Sequence, residues 1–125
     1  MTLRQTYQKG KMLLEKAGIE TPAFDAVCLF EKVFKLDRQG LILHGGETAQ
    51  GAEAEKYTAL ITRRAQGEPL QYILGKWTFF GMELHVGTGV LVPREETELL
   101  VETALGLLAG KFSPCVIDLC AGTGA

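Results

Sequence analysis

Seven residues near one end of the chain, Asp118-Leu119-Cys120-Ala121-Gly122-Thr123-Gly124, have the composition of a ligand-binding turn. They continue a short apolar run, and the spacing predicts a buried strand over Cys115–Leu119. In open α/β sheets ligands lie beyond the carboxyl ends of the strands. Gly122 and Gly124 lack a Cβ, so backbone there can approach a ligand closely and take positive φ. The Asp118 carboxylate reaches the same crevice and suits a cationic or hydroxyl-bearing ligand. Phosphate chemistry is less well supported. The dinucleotide fingerprint G-x-G-x-x-G has Cys120 where its first glycine stands, and the Gly-Lys-Ser/Thr of a Walker A loop is absent. A tight turn with no ligand is the competing reading of the same residues.

A second charged group precedes this turn. Pro93-Arg94-Glu95-Glu96-Thr97-Glu98 opens a stretch in which Leu100, Val101, Ala104, Leu105 and Leu108 recur at helical spacing, ended by Gly110. Three carboxylates in a first turn complement the helix dipole, which suffices to explain most of them. Arg94 beside Glu95 and Glu96 reads equally as a surface ion pair or as part of a site. His44 and His85 have no partners at metal-ligand spacing, so no metal is expected. Lys56, Arg63 and Arg64 read as a solvated helix face rather than a basic patch. Cys28 and Trp77 read as packing residues.

The elements that must position these groups are legible in outline. Thr2 caps a first helix with Leu3, Tyr7, Leu14 and Ala17 near one face, stopped by Gly18. Thr21-Pro22 starts a second, with Phe24, Val27, Phe30, Val33 and Phe34 on a stripe that reads as core. Asp37 caps a short helix over 38–43. Thr48 opens a fourth segment in which Tyr57, Leu60, Ile61 and Arg64 share a face, and Gly67 ends it. Pro69 starts a last turn over 70–74, closed by Gly75. Residues 1–75 thus read as a helical bundle. The period then changes: Trp77–Phe80 and Met82–Val86 read as extended, with Gly81 as a hairpin or bulge, and Val90–Val92 as a brief extended stretch before Pro93.

Bulk properties set limits. The 125 residues are 46% hydrophobic and 22% charged, with a net charge of -2, which gives no reason to expect nucleic acid. Three cysteines without a C-x-x-C, and no secretory h-region, point to reduced thiols in a cytoplasmic protein. Apolar runs are too short to span a bilayer.

Taken in order, Gly67-Glu68-Pro69-Leu70-Gln71-Tyr72-Ile73-Leu74-Gly75, Phe79–Gly81, Leu91–Glu98 and Val116–Gly124 resemble one family, the release factor glutamine N5-methyltransferases of the HemK/PrmC type. The resemblance covers the whole chain and is most specific from Gly67 to Gly124. It implies a helical substrate-recognition domain over 1–75, a β-hairpin linker over 76–92, and from 93 to 125 the start of a Rossmann-like class I methyltransferase domain that binds S-adenosylmethionine. It implies methyl transfer to the side-chain amide of the Gln in the Gly-Gly-Gln motif of class I release factors, by a protein expected to be monomeric. On the family's pattern Asp118, Cys120, Ala121, Gly122, Thr123 and Gly124 fall on the cofactor loop. Arg94, Thr97 and Glu98 fall on the stretch that borders the cofactor crevice. Two departures are visible. Cys120 stands where glycine is frequent, so its side chain must tuck away from the ligand. The family's Asn-Pro-Pro-Tyr motif and the acidic residue for the cofactor ribose are not among the 125 residues, so the chain reads as truncated inside the cofactor loop, with no catalytic residue of its own and no activity alone. A ribosomal-protein glutamine methyltransferase and a non-catalytic helical binding module are the competing readings. A nicotinamide dehydrogenase would need a further glycine.

Overall fold

A computed structural model describes residues 1–125. The chain divides into two compact units, Met1–Leu74 and Gly75–Ala125.

The first unit is a bundle of five helices: α1 (Leu3–Lys16), α2 (Pro22–Phe34), α3 (Arg38–His44), α4 (Gly51–Ala65) and α5 (Leu70–Leu74). Local chemistry fixes most of their ends. Thr2 and Gln5 form a reciprocal capping box on α1: Gln5 N–H donates to Thr2 Oγ1 at 3.2 Å, and Thr2 N–H donates to Gln5 Oε1 at 2.9 Å. Asp37 caps α3 by accepting the Gly40 N–H at 2.7 Å. Gly18 and Gly67 follow α1 and α4 with φ of +74° and +97°, the left-handed backbone that ends helices cheaply only at glycine.

Two expected starts differ in detail. Thr21 is the N-cap of α2, but its hydroxyl donates to Asp25 Oδ1 at 2.9 Å rather than accepting from backbone. Helix α4 starts from Gln50, not Thr48. Thr48 instead forms an isolated antiparallel bridge with Thr2, because the segment before α4 runs alongside the start of α1: Leu3 N–H donates to Glu47 O at 2.8 Å and Ala49 N–H to Met1 O at 3.0 Å.

The core lies among α1, α2 and α4, closed by α3 and α5. Leu14, Ala26, Leu29, Phe30, Tyr57 and Ile61 are its fully buried apolar members. Phe30 stacks on Phe34 with ring centroids 4.4 Å apart, and meets Tyr7 and Tyr57 edge-on at 6.2 and 5.6 Å. The Tyr57 hydroxyl reaches through this cluster to donate to Ala26 O at 3.2 Å. The helices approach closely at Gly10, where an added Cβ would lie 2.7 Å from Tyr57 Cε1. Phe24, at the head of the α2 stripe, is the exception to the core reading: it is 52% exposed.

The second unit contains an antiparallel hairpin, β1 (Lys76–Phe79) and β2 (Met82–His85), and helix α6 (Glu95–Leu108). Phe79 pairs with Met82, so Phe80-Gly81 is a two-residue turn. Beyond the hairpin Gly87–Val90 form a turn, with Val90 N–H donating to Gly87 O at 3.1 Å, and residues 91–92 run on without a strand partner. In α6 the more sheltered positions are Glu98, Val101, Ala104 and Leu108, whereas Leu100 and Leu105 face solvent. The strand expected over Cys115–Leu119 is not formed, and its residues are exposed. The hairpin is the one sheet in the chain. A buried strand needs neighbours to take up its backbone N–H and C=O groups, and nothing in these 125 residues supplies them.

Candidate functional site

Every residue singled out as a candidate falls in the second unit. Arg94 is the N-cap of α6, with extended backbone at φ -105° and ψ 147°, and its carbonyl accepts the Thr97 N–H at 3.1 Å. The Arg94 and Thr97 side chains are exposed, and Arg94 enters no ion pair with Glu95 or Glu96. The carboxylates of Glu95, Glu96 and Glu98 sit in the first turn, where the helix dipole favours them.

Glu98 has a further task. Its Oε1 accepts the backbone N–H of Phe80 at 2.7 Å. Phe80 and Gly81 have φ of +48° and +74°, the pair of left-handed conformations that two-residue hairpin turns adopt. Left-handed backbone costs a residue with a Cβ about 1–2 kcal/mol. A charged acceptor on the Phe80 amide offsets part of that cost and ties the hairpin turn to the first turn of α6.

The glycine-rich segment is open to solvent from Asp118 to Ala125. Its backbone is left-handed at alternate residues: Cys120 at +60°, Gly122 at +63° and Gly124 at +77°. Gly124 N–H donates to Ala121 O at 3.1 Å, and Ala125 N–H to Thr123 Oγ1 at 3.4 Å. A Cβ on Gly122 or Gly124 would meet nothing within 4 Å, so backbone conformation, not crowding within the chain, is what these glycines answer. Cys120 takes the same conformation with a side chain attached. No hydrogen bond or ion pair connects this segment to Arg94, Thr97 or Glu98. The candidates therefore form two groups: the cap of α6 with its hairpin clamp, and the open loop.

The other titratable residues singled out from sequence have their own settings. Arg63 and Arg64, read from sequence as a solvated face, are both engaged. Arg63 Nε donates to Glu68 Oε2 at 2.7 Å, and this hydrogen bond holds the Glu68 carboxyl below its ordinary range. Arg64 turns inward to Asp25. His44 Nδ1 lies 2.6 Å from Glu47 Oε1, and His85 is exposed. Burial, then the nearby charges of Asp25 and Glu31, push the Cys28 thiol up to about 11, so it is no ready nucleophile. No three His, Cys, Asp or Glu side chains gather as metal ligands. No helix is long and apolar enough to cross a membrane.

One feature of the first unit escaped the sequence reading. Arg4 and Lys11 of α1 and Arg38 of α3 border a hollow of about 600 Å³ between α1, α2 and α3. Its signal was the charge of α1, where Arg4, Lys9, Lys11 and Lys16 face a single acid, Glu15.

A five-helix bundle forms the first compact unit, and a hairpin and a helix that leads to a glycine-rich loop form the second. Residues 5–75 match the family described as the PrmC N-terminal domain, more than half of the chain, and the chain belongs to that family. It is similar to proteins named release factor glutamine methyltransferase. That of Bifidobacterium longum is 38% identical over all of this chain and 44% of its own length. That of Burkholderia pseudomallei is 46% identical over 82% of this chain and 36% of its own. That of Deinococcus radiodurans is 39% identical over all of this chain and 45% of its own. The chain thus spans less than half the length of these relatives.

Proposed function

We propose that the chain is the substrate-recognition domain, hairpin linker and opening of the catalytic domain of a protein-glutamine methyltransferase. The whole protein transfers a methyl group to the side-chain amide nitrogen of the Gln in the Gly-Gly-Gln motif of class I release factors. One observation carries this reading: similarity to proteins of that name runs over the full chain, through the cap of α6 and the glycine-rich loop as well as the bundle. The names of the similar proteins favour the release-factor substrate over a ribosomal protein.

S-adenosylmethionine is the methyl donor implied. The residues present fit it in kind. Gly122 and Gly124 have left-handed backbone with open space where a Cβ would stand, which admits close approach of a ligand. Asp118 offers an exposed carboxylate to hydroxyls or a positive charge. Cys120, Ala121 and Thr123 complete the loop. Arg94, Thr97 and Glu98 border the crevice, with Glu98 also holding the hairpin turn. In the whole protein the loop follows a strand of a Rossmann-like parallel sheet, whose pairing fixes residues 115–119. In the 125-residue chain the exposed loop must lose backbone freedom on binding, at about 1–2 kcal/mol per residue, so S-adenosylmethionine should bind it weakly. The protein works in the cytoplasm, where its substrate does.

The test uses the full-length enzyme with a purified class I release factor. Mass spectrometry should find one added methyl group on the Gly-Gly-Gln glutamine. Gly122→Val should weaken cofactor binding and leave release-factor affinity in place. Removing residues 1–75 should raise KM for the release factor far more than for S-adenosylmethionine. Absence of methylation, or equal effects on both KM values, would refute the assignment of roles.

A further inference from the structure

We propose that the hollow between α1, α2 and α3 is a docking groove for an acidic, amphipathic segment of the protein substrate. The proposal rests on the release-factor reading above and specifies the surface and the chemistry by which the substrate is held.

The hollow has an apolar floor and a basic rim. Tyr7, Val27 and Leu41 line its base, and Arg4, Lys11 and Arg38 stand around it, with no carboxylate in the lining. The three cations are poorly neutralised. Arg38 pairs with no acid, and Arg4 reaches only the Ile42 carbonyl at 3.4 Å. Lys11 lies 3.4 Å from Glu15 in an exposed pair of the kind that contributes little. The basic band continues around α1. A second hollow of about 520 Å³ shares Arg4 and Gln8 with the first and adds Lys9 and Lys16, again without an acid. This concentration of positive charge occurs on a chain whose net charge is -2, so it is a local feature of one face. Poorly neutralised cations around a concavity raise the local concentration of anionic groups and steer them to it.

Charge alone does not select the occupant; the apolar groups do. Phe24 and Ile42 line the hollow yet remain 52% and 65% exposed. Helix α2, which buries Phe30, leaves Phe24, six residues earlier, uncovered. A phosphate backbone would satisfy the cations but leave this aliphatic and aromatic surface without a counterpart. An amphipathic helix with carboxylates beside one or two large apolar side chains satisfies both. Arg4 and Lys11 are seven residues apart, on one face of α1 and about 10 Å apart along its axis at 1.5 Å per residue, a match for two turns of such a helix.

The experiment is calorimetric titration of the 125-residue chain with a purified class I release factor, at low and high salt. Three variants are compared: Phe24→Ala, Arg38→Glu, and Lys56→Glu on α4 as a control. All three side chains are exposed, and circular dichroism checks that the folds are equal. Phe24→Ala and Arg38→Glu should each weaken binding about tenfold or more, as central interface residues do. Lys56→Glu should bind as the unaltered chain does, and affinity should fall as salt rises. Unchanged binding by both groove variants would overturn the docking groove and leave the methyltransferase reading standing. Failure of the unaltered chain to bind the release factor would count against recognition by this domain and remove the groove proposal with it. Tighter binding of an RNA duplex, lost in the same two variants, would show a nucleic-acid surface instead and overturn the protein occupant.

Discussion

Arg64 Nε donates to Asp25 Oδ2 at 2.7 Å, joining the last turn of α4 to the first turn of α2 across 39 residues of sequence. Asp25 is 2% exposed, and its other oxygen accepts the Thr21 hydroxyl. Arg64 also donates through Nη1 to Glu68 O at 3.1 Å, at the connection that leads to α5. A buried ion pair of this kind is costly to break from one side, because the remaining charge loses its partner without regaining water. Arg64→Met should therefore destabilise the chain by about 3 kcal/mol in urea unfolding. The double variant Asp25→Leu with Arg64→Met should recover much of that loss. If the double variant is the less stable of the two, the pair is not the reason for the loss.

Gly10 gives a prediction opposite in sign to helix propensity. In an isolated helix Gly→Ala gains roughly 0.8–1 kcal/mol. Here the new methyl would enter the ring of Tyr57, which is buried and tied to Ala26. Gly10→Ala should lower stability by about 1–3 kcal/mol, the usual cost of overpacking. Combining it with Tyr57→Leu should make the alanine tolerable, as thermal unfolding would show.

The hairpin turn should respond to both of its supports. Phe80→Asn places a residue tolerant of left-handed backbone at φ +48° and should stabilise the hairpin by about 1 kcal/mol. Glu98→Ala removes the acceptor of the Phe80 N–H and should speed hydrogen exchange at that amide, with little change at the amides of α2 and α4. Exchange at Phe80 that does not respond would mean that the clamp is not populated in solution.

Stability should fall in alkali for two named reasons. Burial raises the Cys28 thiol from 9.0 to about 11, and burial likewise raises the Tyr57 hydroxyl well above its ordinary 10.0. In the unfolded chain both groups lose their protons earlier, so from about pH 9 upward the folded state holds more protons and loses stability. The contribution is complete below the unfolded values and disappears as pH rises through the folded ones. Cys28→Ala with Tyr57→Phe should flatten the pH dependence of the unfolding midpoint between pH 9 and 11. An equally steep decline in the double variant would assign the effect to other groups. Alkylation near pH 8 should likewise mark the exposed Cys115 and Cys120 well before Cys28.

The sequence by itself determined what depends on a few neighbouring residues. The reciprocal cap of Thr2 and Gln5, Asp37 at the start of α3, Pro22 at the start of α2, the glycines after α1 and α4 and the hairpin turn at Gly81 are all contests settled within about four residues, so spacing reveals them. The loop's dependence on glycine was legible for the same reason. Tertiary structure decided wherever a partner lies far along the chain. Thr21 turns its hydroxyl to Asp25, which in turn answers Arg64; Thr48 pairs with Thr2 instead of capping α4; Phe24 is left bare while Phe30 is buried. Arg38 meets Arg4 around a hollow only because α3 folds against α1, and no periodicity records that. Residues 115–119 show the converse. Their composition suits a strand, but a strand's hydrogen bonds belong to its neighbours, and without a neighbour the segment stays unpaired.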